Sequence, residues 1–558
     1  MLKKFLMGAI CIGSITASAT NAQVWDPTAL NADPKTATGP LSPKLSGLGD
    51  YKFAVTTSNP ESQYFFDQGF RLWVGFNHSE AMRSFKEAIR LDPDNAMAYW
   101  GWALSLGRNL NLPMLVNSKE QANYAIGMAR SLKDKVSERE ADYIDALSAR
   151  YSTDLSIPNE VLDEAYVVAM EKLMNKYPDD PDASVLFAGA AMNAQPWDYW
   201  NIDGSTKGRT EQIITTLEKV LEKHPNHAAA MHYHIHISES MRPEIAEGSA
   251  DNLAPQLPGA GHLIHMPSHI FMRVGRYQDA YDINIEAAKV DEDYIAQCNA
   301  QGLYPLAYYP HNLHFLAWSS MYTGRSSESI AAARKVKDRV EAGSRSNTWG
   351  LNETFRSQPM FVMARFGMWD EMLKVEKPFM RAQFMTGIWH YGRALAHMHK
   401  GNMSEAEKET ASLAALVDKM TEGQPGYSNF EDVGGLLTIA LQVVEGELAS
   451  KKGDFDKAVF HLSSAARMED SLAYNEPPSW YFPTRHILGA VLLDAGRSVE
   501  AEVVYWDDLK HNPENAYSLY GMYQALKAQQ KDALAEEFLN RYNKMWVNSD
   551  VKLTSSRF

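Results

Sequence analysis

The sequence predicts an all-α solenoid built from helix–turn–helix repeats. Three observations carry this expectation. Similar residues recur with a period near 34. A turn of the form Gly-x-x-x-(Asp/Glu)-x recurs along the chain. No segment alternates apolar and polar residues with period two over a useful length, so no sheet is expected.

The first clear unit runs from Phe65 to Pro93. Gly69 and Ala81 are small and let two helices approach, Phe85 fills the space between them, and Pro93 ends the second helix. Phe65, Gly69, Leu72, Ala81, Phe85, Ala88 and Pro93 stand at signature positions 4, 8, 11, 20, 24, 27 and 32 of the tetratricopeptide repeat (TPR). The next unit opens with Tyr99, Trp102, Ala103 and Leu106. The glycine turn then appears at Gly275 to Ala280, Gly324 to Ser329, Gly367 to Met372, Gly401 to Ala406 and Gly496 to Ala501, with a variant at Gly453 to Ala458. Glycine suits such a turn because it takes φ > 0 where two helices meet. Ala501, Tyr505 and Pro513 repeat the first unit's ending. About nine or ten units, wound as a right-handed superhelix, are expected.

The formal charge of −15 argues against nonspecific nucleic-acid binding. Lys3 and Lys4, the apolar run Phe5 to Ala17 and the small-x-small site Thr20-Asn21-Ala22 read as a bacterial export signal. A periplasmic or secreted protein with no transmembrane segment in the mature chain is expected. The chain is divided into a signal (1–22), an extended or weakly ordered lead-in (23–62), an N-terminal array with the first His-rich helices (63–295), middle units after an insertion (296–422) and C-terminal units with an Asn-Glu-Pro-Pro connector (423–558). Irregular stretches are expected at Asp291 to Pro310, Gly423 to Gly435 and Asn475 to Pro483. Cys298 is the only cysteine beyond the signal, which excludes an internal disulfide and a Cys-rich zinc site. Nucleotide-loop and haem-attachment motifs are absent from the sequence.

Histidine placement is the strongest functional signal. Positions 2, 5, 9 and 12 of a TPR line its concave groove, on one face of the first helix. His232, His236 and Glu239 fall at positions 5, 9 and 12 of one unit. His262, His265 and His269 fall at 2, 5 and 9 of the next, and His311 and His314 at 2 and 5 of the one after. His234 is the exception, at a packing position. Neighbouring first helices lie about 10 Å apart, so their imidazoles can converge on one ion. His and carboxylate ligands without thiolate suit Zn, Cu, Fe or Mn. A metal-free polar groove for an acidic or peptide ligand is the plainer alternative. Pro267 is expected to break the helix that carries His262, His265 and His269.

Other groove candidates are Asn193 and Trp197, Trp480 and Tyr481, and Arg485 and His486. The Trp197 cluster reads either as a ligand wall or as core packing, and the Asn475 to Tyr481 stretch either as a groove mouth that places Glu476 or as a rigid connector between units. Glu239 and Glu476 are candidate proton carriers.

The chain resembles a family of bacterial exported TPR proteins. The strings that carry this are Phe-Asn-His-x-Glu-Ala (Phe76 to Ala81), Ala-Tyr-Trp-Gly (Ala98 to Gly101), His-Tyr-x-Ile-His-x-x-Glu (His232 to Glu239), Gly-His-Leu-x-His-Met-Pro-Ser-His-Ile (Gly261 to Ile270) and Tyr-Asn-Glu-Pro-Pro-x-Trp (Tyr474 to Trp480). His234 stands where the family pattern has tyrosine, and Arg108 to Asn111 departs from a Pro-Asn start. The resemblance implies the TPR fold and no established activity. The leading expectation is a protein, peptide or small-molecule ligand bound in the groove through a His/Glu metal site. Rival readings are a hydrolytic or oxidative metalloenzyme on the same scaffold and a metal-free interaction scaffold.

Overall fold

The computed structural model describes residues 31–558 apart from 115–117, 155, 299, 301–303, 344–348, 380–381 and 422–432. The expected signal and the Gly423 to Gly435 stretch, save its last three residues, lie outside them.

Helices follow one another from Pro60–Val74 to Asp532–Met545, and each packs chiefly on its chain neighbours. Among the described residues only two isolated bridges occur, Asn109 with Leu112 and Trp200 with Thr206. The molecule is therefore an all-α repeat array.

Glycine packing marks the repeat at both ends. A Cβ on Gly69 or Gly101 would meet the Phe85 ring at 2.9 or 2.4 Å. One on Gly489 or Gly521 would meet Tyr505 at 2.4 or 2.2 Å. One buried aromatic thus fills the notch left by glycines of two successive first helices. The six predicted turn glycines, Gly275, Gly324, Gly367, Gly401, Gly453 and Gly496, all have φ between 63° and 82°. The residue after each donates its N–H back to a carbonyl five positions earlier, as Arg276 does to Phe271 at 2.8 Å. That bond closes the helix end. In the first unit the same register position holds Phe76, with φ 56°, and Asn77 donates to the Leu72 carbonyl at 2.9 Å.

Among the described residues, segments distant in the chain close on one another. The lead-in from residue 31 packs as an irregular strap, its Leu41 N–H bonded to Glu87 at 2.8 Å and Phe53 buried among Phe66, Phe70, Trp100 and Tyr143. It reaches the middle of the chain, where the Gly259 N–H bonds the Gly47 carbonyl at 2.6 Å. The C-terminal units fold back onto the middle ones. Tyr277 donates to the Pro513 carbonyl at 2.7 Å, Tyr517 to the Met321 carbonyl at 3.1 Å, and Asp550 accepts the Ser326 and Ser327 N–H groups at 2.8 and 2.9 Å. Among the described residues one helix, Val433–Lys451, is long and apolar enough to cross a membrane. It packs between the Gln383–His399, Met403–Thr421 and Phe455–Asp470 helices, with 67% of its most apolar window buried.

The expected insertion at Asp291 to Pro310 is shorter than read from sequence. Helix Tyr277–Cys298 continues through Asp291, and a π-helical turn, Tyr304–Tyr308, leads directly into helix Tyr309–Tyr322.

Candidate metal centre

Four helices and a connector supply the site. Ala228–Ser238 carries His232 and His236, with Glu239 as its C-cap. Pro267 breaks the next segment as expected, giving Gly261–His265 with His262 and His265, then Pro267–Arg273 with His269. Tyr309–Tyr322 carries His311. Glu476 comes from the connector after Phe455–Asp470. These residues form two histidine triads, His232/His236/His262 and His265/His269/His311, and a group of Glu239, His269 and Glu476, in each of which the ligand atoms lie within 4.8 Å of one another. All are buried except His311, which is part-exposed.

Polar contacts at Nδ1 of His232, His236, His265 and His269 leave Nε2 of each ring facing its neighbours. A carbonyl oxygen only accepts, so His232 holds its proton on Nδ1, 2.8 Å from the Val74 carbonyl. Its Nε2 is left buried without a partner among the described residues. His236 Nδ1 lies 3.4 Å from Glu239 Oε1, and its Nε2 is likewise unpartnered. Both ring nitrogens of His262 lack a partner among the described residues. In the second triad, Asn284 donates its Nδ2 to the Ala280 carbonyl at 2.7 Å, which turns its Oδ1 to His265 Nδ1 at 2.7 Å. His265 Nε2 then lies 3.0 Å from His269 Nε2, and His311 Nε2 lies 3.5 Å from it. His269 Nδ1 sits 3.0 Å from both Glu239 Oε2 and Glu476 Oε2, in ion-pair contact with each and aligned with neither as a straight hydrogen bond. A proton on Nδ1 facing carboxylates leaves Nε2 as a ligand, the pattern by which outer carboxylates orient metal-binding histidines.

Electrostatics keep most of these rings neutral. Burial lowers His232, His262, His265 and His311 well below the ordinary histidine range, and neighbouring imidazoles add to it. Burial also lowers His236, against the opposing pull of Glu239. His269 differs. Burial pulls it down, but Glu239 and Glu476 outweigh that and raise it to about 10. Glu239, raised by burial, is held at about 2 by His269 and His236. Burial raises Glu476, with His269 opposing. Protonated His269 can donate from Nε2 to His265 Nε2 at 3.0 Å, whereas Nε2 of His232 and of His236 and both nitrogens of His262, on rings held neutral, lack a buried partner among the described residues unless a cation lies between them. The donor set fits a transition-metal ion.

Aromatic rings wall the centre. Phe76 lies over His232, His236 and His262 at centroid distances of 4.4, 5.8 and 5.3 Å. Tyr308 stands edge-on to His262 at 4.9 Å, and Phe315 lies 4.5 Å from His269. Trp197, with φ 63° and 44% exposed, sets its ring edge-on to His236 at 5.5 Å. Its Nε1 donates to the Leu110 carbonyl at 3.1 Å, and Asn193 donates to the Arg108 carbonyl at 3.3 Å, so both residues hold the 193–200 turn against the segment that follows Ala96–Leu106.

Other sequence candidates lie elsewhere. His314 stacks on Tyr481 at 5.3 Å and meets Phe355, because the connector fills the groove at that level. His234 bonds Ser249 at 2.9 Å. His486 donates from Nε2 to Asp508 at 2.9 Å and accepts from Arg365 at 2.8 Å, a closed network away from the triads. Arg485 pairs with Asp470 and Asp507. Trp480 packs on Phe361 and Tyr391. Glu239, expected as a ligand, belongs to the Glu239/His269/Glu476 group, and its two oxygens face Nδ1 of His236 and of His269. Sequence reasoning missed Phe76 and Asn284 as site residues. Phe76 had one signal, an aromatic residue at the turn position where later units hold glycine.

No family model and no curated protein matches the chain. Among solved structures, the human IFIT1 dimer with m7Gppp-AAAA aligns over 94% of this chain and 96% of its own, at 10% identity and a TM-score of 0.28. An IFIT1 monomeric mutant with Gppp-AAAA aligns over the same shares at 12% identity and 0.30. Yeast Tom70 aligns over 88% and 92%, at 12% identity and 0.27. Scores this low say nothing of a ligand here, and the fold rests on the helix order itself.

Proposed function

We propose that this is an exported TPR protein whose units enclose a His/Glu transition-metal centre that binds a small ligand. The observation that carries this is the convergence of Nε2 atoms from His265, His269 and His311 in a largely buried site, with Nδ1 of His265 and of His269 each facing a polar partner. The basic and apolar N-terminal segment and the resemblance to exported TPR proteins support export. Burial favours a small ligand over a peptide, because no extended chain reaches rings that are at most 5% exposed at His232, His236, His262, His265 and His269. The metal reading also accounts for carboxylates placed behind the histidines, which an uncharged polar groove does not need.

A second reading, a metal-dependent enzyme, is favoured by the ligand count. Three protein ligands leave a coordination position for water or substrate, as catalytic rather than structural sites do. Glu476, with its carboxyl raised by burial, stands beside His269 as a group able to hold a proton.

The test is metal content of the untagged protein, by elemental mass spectrometry, for wild type and for His232→Ala with His269→Ala. The double variant is expected to lose metal while its helical circular dichroism persists. Equal metal content in both proteins contradicts the assignment.

A further inference from the structure

We propose that the centre holds two metal ions side by side, one on each triad, with Glu239 tying the triads together. This rests on the metal reading above and adds the number of ions and their coupling.

Three observations point to a pair. First, the ligand atoms separate into two histidine groups, each within 4.8 Å. An ion bonded at about 2.0–2.1 Å holds its ligand atoms within about 4 Å of each other, so one ion cannot serve six rings. Second, the groups share a wall. His236 lies 5.9 Å from His269 and His262 lies 6.0 Å from His265, between ring centroids, as close as His236 lies to His262 within one triad at 6.2 Å. Third, Glu239 reaches both: Oε1 lies 3.4 Å from His236 Nδ1 and Oε2 lies 3.0 Å from His269 Nδ1. One carboxylate therefore orients a ligand in each triad. The charge count defines the third component. Two divalent ions exceed the two buried carboxylates, Glu239 and Glu476, by two charges. A neighbouring pair with open positions would take a small anionic oxygen ligand, such as hydroxide, between them.

The experiment titrates full-length protein with Co(II), following visible absorption and bound cobalt after desalting. Wild type is expected to bind two equivalents. His232→Ala with His262→Ala, and separately His265→Ala with His311→Ala, are each expected to keep one. The corresponding His→Gln pairs repeat the test with side chains closer in size, and circular dichroism checks that each variant folds. Wild type saturating at one equivalent overturns the pair while the metal site stands. Two equivalents retained in both variants also overturn it, since the ions then sit elsewhere. Failure of wild type to bind any cobalt removes the metal reading itself.

Discussion

Phe76 occupies a left-handed backbone conformation at the turn where six later units place glycine. For a residue with a side chain that conformation costs about 1–2 kcal/mol. The strain persists because the ring is buried over His232, His236 and His262. Removing a buried phenylalanine costs about 3–5 kcal/mol. Packing outweighs strain, so Phe76→Gly should lower stability by about 2 kcal/mol in urea unfolding, even though glycine suits the turn. A variant as stable as wild type would show that the ring contributes little. The clustering of these rings was legible in sequence, since helical spacing at positions 2, 5 and 9 gathers His232, His236, His262, His265, His269 and His311. His314 obeys the same spacing and yet packs on Tyr481, because spacing names a face and does not say what fills the space opposite.

At the scale of the helix pair, the glycine notch sets how closely first helices stack. A Cβ at Gly101 would stand 2.4 Å from the fully buried Phe85 ring. Gly101→Ala should therefore cost about 1–3 kcal/mol through overpacking, read as a lower urea midpoint; an unchanged midpoint would mean the ring yields freely. Asp291 joins the elements that bear the two triads. It accepts from Tyr304 at 2.8 Å, whose oxygen accepts the His262 N–H at 3.0 Å, and from Asn312, the neighbour of His311, at 2.7 Å. Burial pushes its carboxyl up to about 7 from the ordinary 3.8, against those two hydrogen bonds. The folded chain thus holds a proton that the unfolded chain releases. The stabilisation is complete below about pH 4 and is lost as pH rises through about 7, at up to about 1.4 kcal/mol per pH unit. Relative to Asp291→Asn, which does not titrate there, apo wild type should lose stability between pH 5 and 7; a constant difference contradicts this. The helix break at Pro267 was legible, whereas the continuation of Tyr277–Cys298 through Asp291 was obscured by a polar, weakly periodic sequence.

At the scale of the whole molecule, the repeat order was readable from glycines and aromatics, but its closure was not. Local periodicity reports which face of a helix is apolar and carries no information about contacts between residues hundreds of positions apart. The Gly47–Gly259 bond, the Tyr277–Pro513 bond and the contact of Glu476 with His269 are of that kind. Closure turns a groove into an enclosed centre, with the Val74 carbonyl from the first unit, imidazoles from the middle and a carboxylate from the C-terminal connector meeting at one place. The most direct test of that centre is an anomalous-scattering map, collected at the absorption edge of the bound metal from crystals of reconstituted protein. A peak is expected within about 2.0–2.1 Å of Nε2 of His265, His269 and His311. A metal-loaded crystal with no peak among these imidazoles, or with its peak on the surface, would contradict it.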